Sequence, residues 1–466
     1  MNMLPTPGEA YYIAEWVIRL IMLAIVPLRR SPTAAASWLL LIFFLPVPGL
    51  ILFLAIGSPR FPRWRAARFE RLRPFFAIVT AKLQQAAPTD TSDITELAER
   101  LGYLPAVGGN HIELLTDYDG MIDGLVADID GARDHVRILA YIFADDATGR
   151  TVITALGRAV RRGVTCHVLI DPVGSYRWIR NTLRLLEAEG VHVRAALPFR
   201  LLRGRTRRDM RNHRKLFIVD GRVGYSGSQN IVARDFRPGV TNRELVVRVT
   251  GPLVAAMSAV FVADWFLETE TMLADMVDIP ESRGPSALQV LPSGADYPKG
   301  GFSTLLTWQI GQAESEIVLV TPYLIPDEGL LGALRTAVLR GVDVRIIVSA
   351  VADQWLVRLA QESFYTELLA RGIHIHRYRD FLLHAKSVRI DRRLGIVGSS
   401  NVDIRSFQLN EEVSLLLFDQ HALDELQTIQ RDYINGSDEV SLEAWRERGR
   451  LRKLAENVAR LVSPLL

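Results

Sequence analysis

Cysteine is nearly absent from this sequence of 466 residues, with Cys166 the only one. A lone cysteine excludes an internal disulfide, and its place in "GVTCHVLID" reads as a buried strand rather than a redox or nucleophilic site. Lysine is almost as scarce: of 55 basic residues only five are lysine, at 82, 215, 299, 386 and 453. Net charge is small as well, and +3 at pH 7 is too little to point to a nucleic-acid partner. Charge is missing altogether from Ala34 to Gly57, where "AAASWLLLIFFLPVPGLILFLAIG" runs 24 residues, long enough to cross a bilayer.

Pro46, Pro48 and Gly49 in the middle of that run imply a kinked span or a re-entrant hairpin. An earlier stretch, Tyr11 to Leu28, is apolar except for Glu15 and Arg19, whose i, i+4 spacing lets them pair on one helix face. The start of the chain lacks the basic residues of a signal peptide, so residues 1–60 are expected to hold two membrane segments, about 11–28 and 34–57. Arg29 and Arg30 lie between the segments, while Arg60, Arg63, Arg65, Arg68, Arg71 and Arg73 follow the second. The larger cluster favours a cytoplasmic body. The stretch "SPRFPRWRAARFERLRPFF" suits either an interfacial helix on anionic headgroups or a solvated linker, in a connecting region of residues 61–108.

Two of the five lysines sit in a repeated motif. "RNHRKLFIVDG" carries His213, Lys215 and Asp220, and "LLHAKSVRIDRRLGIVGSSN" carries His384, Lys386 and Asp391 at the same offsets. Each copy ends in a small-residue signature, "GSQN" with Ser228 and Asn230, and "GSSN" with Ser399 and Asn401. Lysines scattered at random among the basic positions would fill both slots about once in 150 trials, so a compact point charge is wanted there. Alternation along an extended chain puts each histidine and lysine on one face, with the aspartate at the turn that follows.

The rest of the body also repeats. "ALGRAVRRGVTCHVLID" (155–171) is echoed by "ALRTAVLRGVDVRIIVS" (333–349), and "LLEAEGVHVR" (185–194) by "LLARGIHIHR" (368–377). An αβ unit followed by the histidine–lysine hairpin in each half predicts a duplicated α/β sandwich, with halves at 109–280 and 281–466. The first half holds an arginine-rich insertion, "FRLLRGRTRRDMRNHRK", with arginines at 200, 203, 205, 207, 208, 211 and 214, expected to form a phosphate-attracting rim. His374 and His376 lack an acidic or thiol partner nearby and read as packing residues, not metal ligands. The basic amphipathic end, from Ala444, either covers the sheet or lies on a membrane.

Paired histidines and lysines suit phosphodiester chemistry. If the copies face one another, a phosphate between them meets two imidazoles, two ammonium groups and the amides of Asn230 and Asn401. One imidazole can attack phosphorus while the other protonates the leaving oxygen, a double displacement that needs no metal and no cofactor. Glu244 in "TNRELVV" and Glu412 in "LNEEVSL" occupy matching places and are expected to orient the imidazoles.

With its doubled motif the sequence resembles the phospholipase D superfamily, and the whole chain is similar to the membrane-anchored bacterial cardiolipin synthase family. The resemblance extends through "LLTDYDG" (114–120), "TPYLIPDEGLL" (321–331) and the terminal "SPLL". It implies a duplicated phospholipase D-type α/β sandwich behind an N-terminal helical membrane anchor, in a multi-pass protein of the bacterial cytoplasmic membrane. It implies a phosphatidyltransferase that joins two phosphatidylglycerols into cardiolipin and glycerol. By this resemblance His213 carries the covalent phosphatidyl group and His384 is the acid and then the base. Lys215, Lys386, Asn230 and Asn401 bind phosphate together with Ser228 and Ser399; Asp220 and Asp391 belong to the catalytic motif, yet their turn position suggests that they brace the hairpin rather than touch phosphorus. A hydrolytic phospholipase D, or a transferase using another alcohol, would use the same residues. A nuclease is disfavoured by the anchor and by the lack of stacking aromatics near the arginine run.

Overall fold

Two copies of one strand pattern, fused edge to edge, build the body. The computed structural model describes residues 6–57, 61–88, 92–198, 209–273, 277–297 and 300–462. The first copy holds β1 (Val107–Leu115), β2 (His135–Ala140), β3 (Thr165–Ile170), β4 (His192–Ala195), β5 (Leu216–Val219), β6 (Val223–Gly227) and β7 (Val246–Thr250). The second holds β8 (Ser286–Ser293), β9 (Glu316–Val320), β10 (Asp343–Ser349), β11 (His374–Tyr378), β12 (Ser387–Ile390), β13 (Leu394–Gly398) and β14 (Glu412–Leu417), with β15 (Ser437–Glu439) added at the edge.

All belong to one 15-stranded sheet in the order β4, β3, β2, β5, β6, β7, β1, β8, β14, β13, β12, β9, β10, β11, β15. Read outward from the β1–β8 seam, the two halves give the same order, which is pseudo-twofold symmetry. The seam is antiparallel, with Val107 opposite Leu288 and Asn110 opposite Ser286. Within each half, parallel pairs (β2–β3 and β9–β10) are joined through helices Ala147–Arg161 and Glu328–Leu339. Each helix stops at a glycine in the left-handed region, Gly163 at φ 91° and Gly341 at φ 87°, where a side chain would be strained.

Asp220 and Asp391 mark matching turns. Both adopt φ 51°, which aspartate tolerates better than most residues. The Asp220 carboxylate accepts from the amides of Arg133, Asp134 and His135, and that of Asp391 from Glu314, Ser315 and Glu316. Each therefore ties its hairpin to the start of the neighbouring strand.

The anchor departs from two spans. Helix α1 (Pro7–Arg29) has 23 residues, an 18-residue stretch of it has mean hydropathy 1.7, and at 1.5 Å per residue it reaches about 34 Å. The uncharged run breaks at Leu45 into α2 (Pro32–Phe44) and α3 (Pro46–Ile56), whose 13 and 11 residues reach only about 20 and 17 Å. Trp38 and Phe53 meet with ring centroids 5.2 Å apart, whereas a continuous helix would separate them by about 22 Å. A Cβ on Gly49 would stand 2.9 Å from the Ile42 backbone, so glycine permits the fold-back. The second segment is thus a short helical hairpin packed on α1. Among the described residues one helix is long and apolar enough to cross a membrane, so the multi-pass expectation is unsupported, while the fold-back matches the hairpin that Pro46, Pro48 and Gly49 imply. Arg19 pairs with Glu15 at 3.3 Å, as their spacing predicts, and donates to the Phe43 carbonyl near the hairpin tip.

The arginine-rich stretch after the anchor is docked on the body. Helices α4 (Arg63–Glu70) and α5 (Arg73–Leu83) bury Phe69, Phe75, Phe76 and Val79 in the core. Arg65 is fully buried against Asp296 and Glu268, and Arg68 and Arg71 reach Glu270. This is a structural strut rather than a free interfacial helix or a solvated linker. At the other end, helix Arg450–Val462 packs on helix Trp355–Ala370 through Arg452 and Glu362 at 2.6 Å, and leaves Leu451, Leu454 and Val458 exposed. The terminal "SPLL" and Arg200, Arg203, Arg205, Arg207 and Arg208 of the insertion lie outside the described residues.

Candidate active site

His213 and His384, 171 residues apart, line one cavity of about 300 Å³. Around them stand Asn230 and Asn401, with Tyr141, Arg211 and Asn410 on the flank of His213 and Tyr323, Arg237 and Asn242 on that of His384. The extended residues just before β5 and β12 carry the motif, so the histidines sit where strands end and the cavity begins.

Orientation comes from crossed pairs. Nδ1 of His213 lies 3.0 Å from Glu412, on β14 of the other half, and Nδ1 of His384 lies 2.8 Å from Glu244, just before β7. The nominated glutamates each orient the histidine of the opposite copy. A carboxylate at Nδ1 holds the proton there and leaves Nε2 with its lone pair for the cavity. The crossing is reinforced by the backbone, since the His213 amide donates to the Glu411 carbonyl and the His384 amide to that of Arg243.

Ser228 and Ser399 occupy a different place from the substrate-binding one expected. Both are fully buried behind the glutamates: Ser399 Oγ donates to Glu412, and Ser228 exchanges hydrogen bonds with the Leu245 backbone. Their glycines explain the signature. A Cβ at Gly227 would stand 2.3 Å from the Leu245 carbonyl and one at Gly398 would stand 2.4 Å from that of Val413. Only glycine allows the approach that sets each serine behind its glutamate.

The aspartates of the catalytic motif stand away from the chemistry, in keeping with the bracing role that their turn position suggests. Asp220 lies at the far end of β5, five residues beyond Lys215, or roughly 16 Å at the rise of a strand. Neither Asp220 nor Asp391 lines the cavity. They brace hairpins.

Lys215 and Lys386 are buried beside the histidines, with Nζ of Lys215 2.7 Å from the His213 carbonyl and Nζ of Lys386 2.5 Å from that of His384. Burial drops Lys215 to about 7 and Lys386 to about 8, against the pull of the two glutamates. Burial, opposed by the glutamates and assisted by the lysines, lowers both imidazoles to about 4. Burial alone would raise Glu412 and Glu244, but the adjoining histidines and lysines hold both below the usual carboxylate range. The site therefore holds neutral imidazoles and charged glutamates beside two lysines whose protonated forms burial disfavours. A phosphodiester between the lysines favours their protonated forms and lets one imidazole keep a second proton.

Asn230 and Asn401 line the cavity, as their proposed contact with substrate requires. The Asn230 side-chain oxygen accepts from the Ile142 amide at 3.0 Å, whereas that of Asn401 has no partner among the described residues. Two further asparagines were legible but unread: "TNRE" and "LNEE" repeat an Asn-x-Glu spacing. Asn242 and Asn410 each turn Nδ2 toward the glutamate two residues on, at 3.4 and 3.5 Å, and their buried side-chain oxygens have no partner among the described residues.

Among the described residues a second tier surrounds His213 and not His384. Arg214, between the histidine and lysine, bonds Asp264 at 2.5 Å, Glu411 at 2.8 Å and the Glu412 carbonyl at 2.9 Å. Glu411 also accepts from the Asp296 amide, and Asp296 with Glu268 holds Arg65 of the strut. The matching positions in the other copy are Ala385 and Arg243, so the network is one-sided. Of the two described arginines from the insertion, Arg214 is consumed here. Arg211 lies 3.5 Å from Asp171 and lines the cavity. No cluster of three metal-binding side chains occurs among the described residues, and His374 pairs with Glu439 at 2.7 Å.

Two half-sites meeting at one cavity, on a duplicated sheet, define a phosphodiester-transfer enzyme of the two-histidine class. Residues 125–265 and 306–433 match the family model described as cardiolipin synthase, PLD-like domain, and the chain belongs to that family. It is 34% identical over 96% of both chains to cardiolipin synthase A of Pectobacterium atrosepticum, and 33% identical over 94% of both to that of Proteus mirabilis. Among solved structures, phosphatidylserine synthase of Haemophilus influenzae shares the fold, with a TM-score of 0.61 at 16% identity over 80% of this chain and 100% of that one.

Proposed function

We propose that the protein is a cardiolipin synthase, a phosphatidyltransferase that moves the phosphatidyl group of one phosphatidylglycerol onto the hydroxyl of another and releases glycerol. The observation that carries this reading is the crossed histidine–glutamate pairing around a single cavity. His213 Nε2 attacks phosphorus, and a P–N bond forms as the P–O bond to glycerol breaks. His384 gives its proton to the departing glycerol oxygen. The hydroxyl of a second phosphatidylglycerol then loses its proton to His384 Nε2 and attacks phosphorus, and the P–N bond breaks. Lys215 and Lys386 neutralise the phosphoryl oxygens, while Asn230 and Asn401 hold them in place.

The one-sided Arg214 network supports His213 as the nucleophile, because a ring that must keep one trajectory gains most from a rigid setting. The hairpin form of the second apolar segment supports a cytoplasmic body. With α1 as the span, Arg29 and Arg30 fall on the same side as the arginines of α4, and the positive-inside rule then gives a single answer.

The test is the product. Purified protein with labelled phosphatidylglycerol in detergent is expected to give cardiolipin and free glycerol in equal amounts. Phosphatidic acid as the main product would identify a hydrolase instead.

A further inference from the structure

The cavity opening carries exposed aromatic residues that the reaction does not use. Tyr176, 66% exposed, stands on the loop after β3. That loop is fixed to the cavity wall, since Ser175 Oγ donates to the Tyr141 carbonyl and the Trp178 ring lies 6.1 Å from that of Phe236, a lining residue. On the opposite flank Trp355, 72% exposed, begins helix Trp355–Ala370, between Gln354 and Val357, which line the cavity. Leu356 beside it is 36% exposed.

The anchor reaches the body at a third point of the same opening. Phe61, the first described residue after the hairpin, is buried against Leu197, Met210 and Leu409. Met210 and Leu409 directly precede Arg211 and Asn410, both cavity-lining residues. The chain thus leaves its membrane segment beside the active-site mouth, and the mouth cannot lie far from the bilayer surface.

We propose that this opening is a bilayer-docking face, on which Tyr176 and Trp355 enter the headgroup layer of an anionic phospholipid membrane, with the anchor at a third point of the rim. Tyrosine and tryptophan suit that layer because each presents an apolar ring and a polar edge. Arg177 and Arg180, exposed beside Tyr176, match anionic headgroups. Docked in this way, a phospholipid raises only its headgroup into the cavity while its acyl chains stay in the membrane. The seal also keeps water from the phosphatidyl-histidine, which favours transfer over hydrolysis.

The proposal rests on the phospholipid-substrate reading above, and two measurements separate them. With full-length protein in phosphatidylglycerol vesicles, brominated acyl chains are expected to quench Trp355 fluorescence, read as the difference between the protein and its Trp355→Phe variant. No quenching difference would overturn docking, whatever the activity. The Tyr176→Ser/Trp355→Ser double variant is expected to lose about tenfold in cardiolipin formation from vesicles. It should keep its rate on short-chain, monomeric phosphatidylglycerol in detergent. An unchanged vesicle rate, or an equal loss on both substrates, would overturn docking. No cardiolipin from either substrate with the unaltered protein would count against the function, while the quenching would still report on docking.

Discussion

Glu412 of the second half lies 3.0 Å from Nδ1 of His213 in the first, and Glu244 of the first lies 2.8 Å from Nδ1 of His384 in the second. The copies complete one another, and neither half alone has an oriented imidazole. Glu412→Gln is therefore expected to behave as a damaged His213: kcat falls roughly hundredfold or more, with slow formation of the covalent adduct and little change in KM. Glu244→Gln is expected to behave as a damaged His384, with the adduct accumulating. Rapid-quench analysis of labelled lipid on the protein distinguishes the two, and the opposite assignment would mean that each glutamate serves its own half.

Replacement of Asp220 or Asp391 by Ala is expected to lower stability by about 2 kcal/mol each, through the loss of three amide hydrogen bonds to a carboxylate. Thermal unfolding should register the change while kcat on the folded fraction stays within about twofold. A large loss of kcat without a loss of stability would return these residues to the chemistry.

Arg65 ties the strut to Asp296 and Glu268 in a fully buried setting. Arg65→Ala leaves those carboxylates without a cation and is expected to cost about 3–5 kcal/mol. Adding Asp296→Ala should recover part of that loss, because the second change removes a buried charge that the first left unpaired. Denaturant unfolding of the two single variants and the double variant gives the coupling, and strict additivity would contradict it.

Both imidazoles are lowered from 6.5 to about 4. A histidine that binds its proton less readily when folded destabilises the fold on acidification: between about 6.5 and 4 the unfolded chain holds more protons, so stability falls as pH falls through that window. An oxyanion in the cavity raises both imidazoles and lysines and opposes that loss. Tungstate is accordingly expected to raise the melting temperature more at pH 6 than at pH 8. A His213→Gln/His384→Gln variant should lose the imidazole share of that pH dependence and keep the share of Lys215 and Lys386, which lie at about 7 and 8, and a larger effect at pH 8 would contradict the electrostatic account.

The repeat, the α/β halves, the paired histidines and their glutamates were legible because each rests on short spacings that occur twice. Which glutamate serves which histidine was not, since matching places in two halves do not reveal a crossing. The turn positions of Asp220 and Asp391 already pointed to bracing, whereas the motif placed Ser228 and Ser399 on the substrate, because spacing along a strand cannot say what stands between a side chain and the cavity. Arg65 looked like one arginine among many, and only tertiary burial against Asp296 sets it apart. The 24-residue uncharged run satisfied the length of a span, while Pro46 and Gly49 decided that it folds back.

The central claim, double displacement through His213 with His384 as acid and base, is tested most directly by trapping the adduct. A phosphatidyl ester whose leaving group needs no protonation should label the His384→Ala variant stoichiometrically, and the label should persist because no base remains to activate the acceptor. His213→Ala should take no label and form no cardiolipin. Label on His213→Ala but not on His384→Ala would exchange the two roles, and label on neither would contradict a covalent phosphatidyl-histidine altogether.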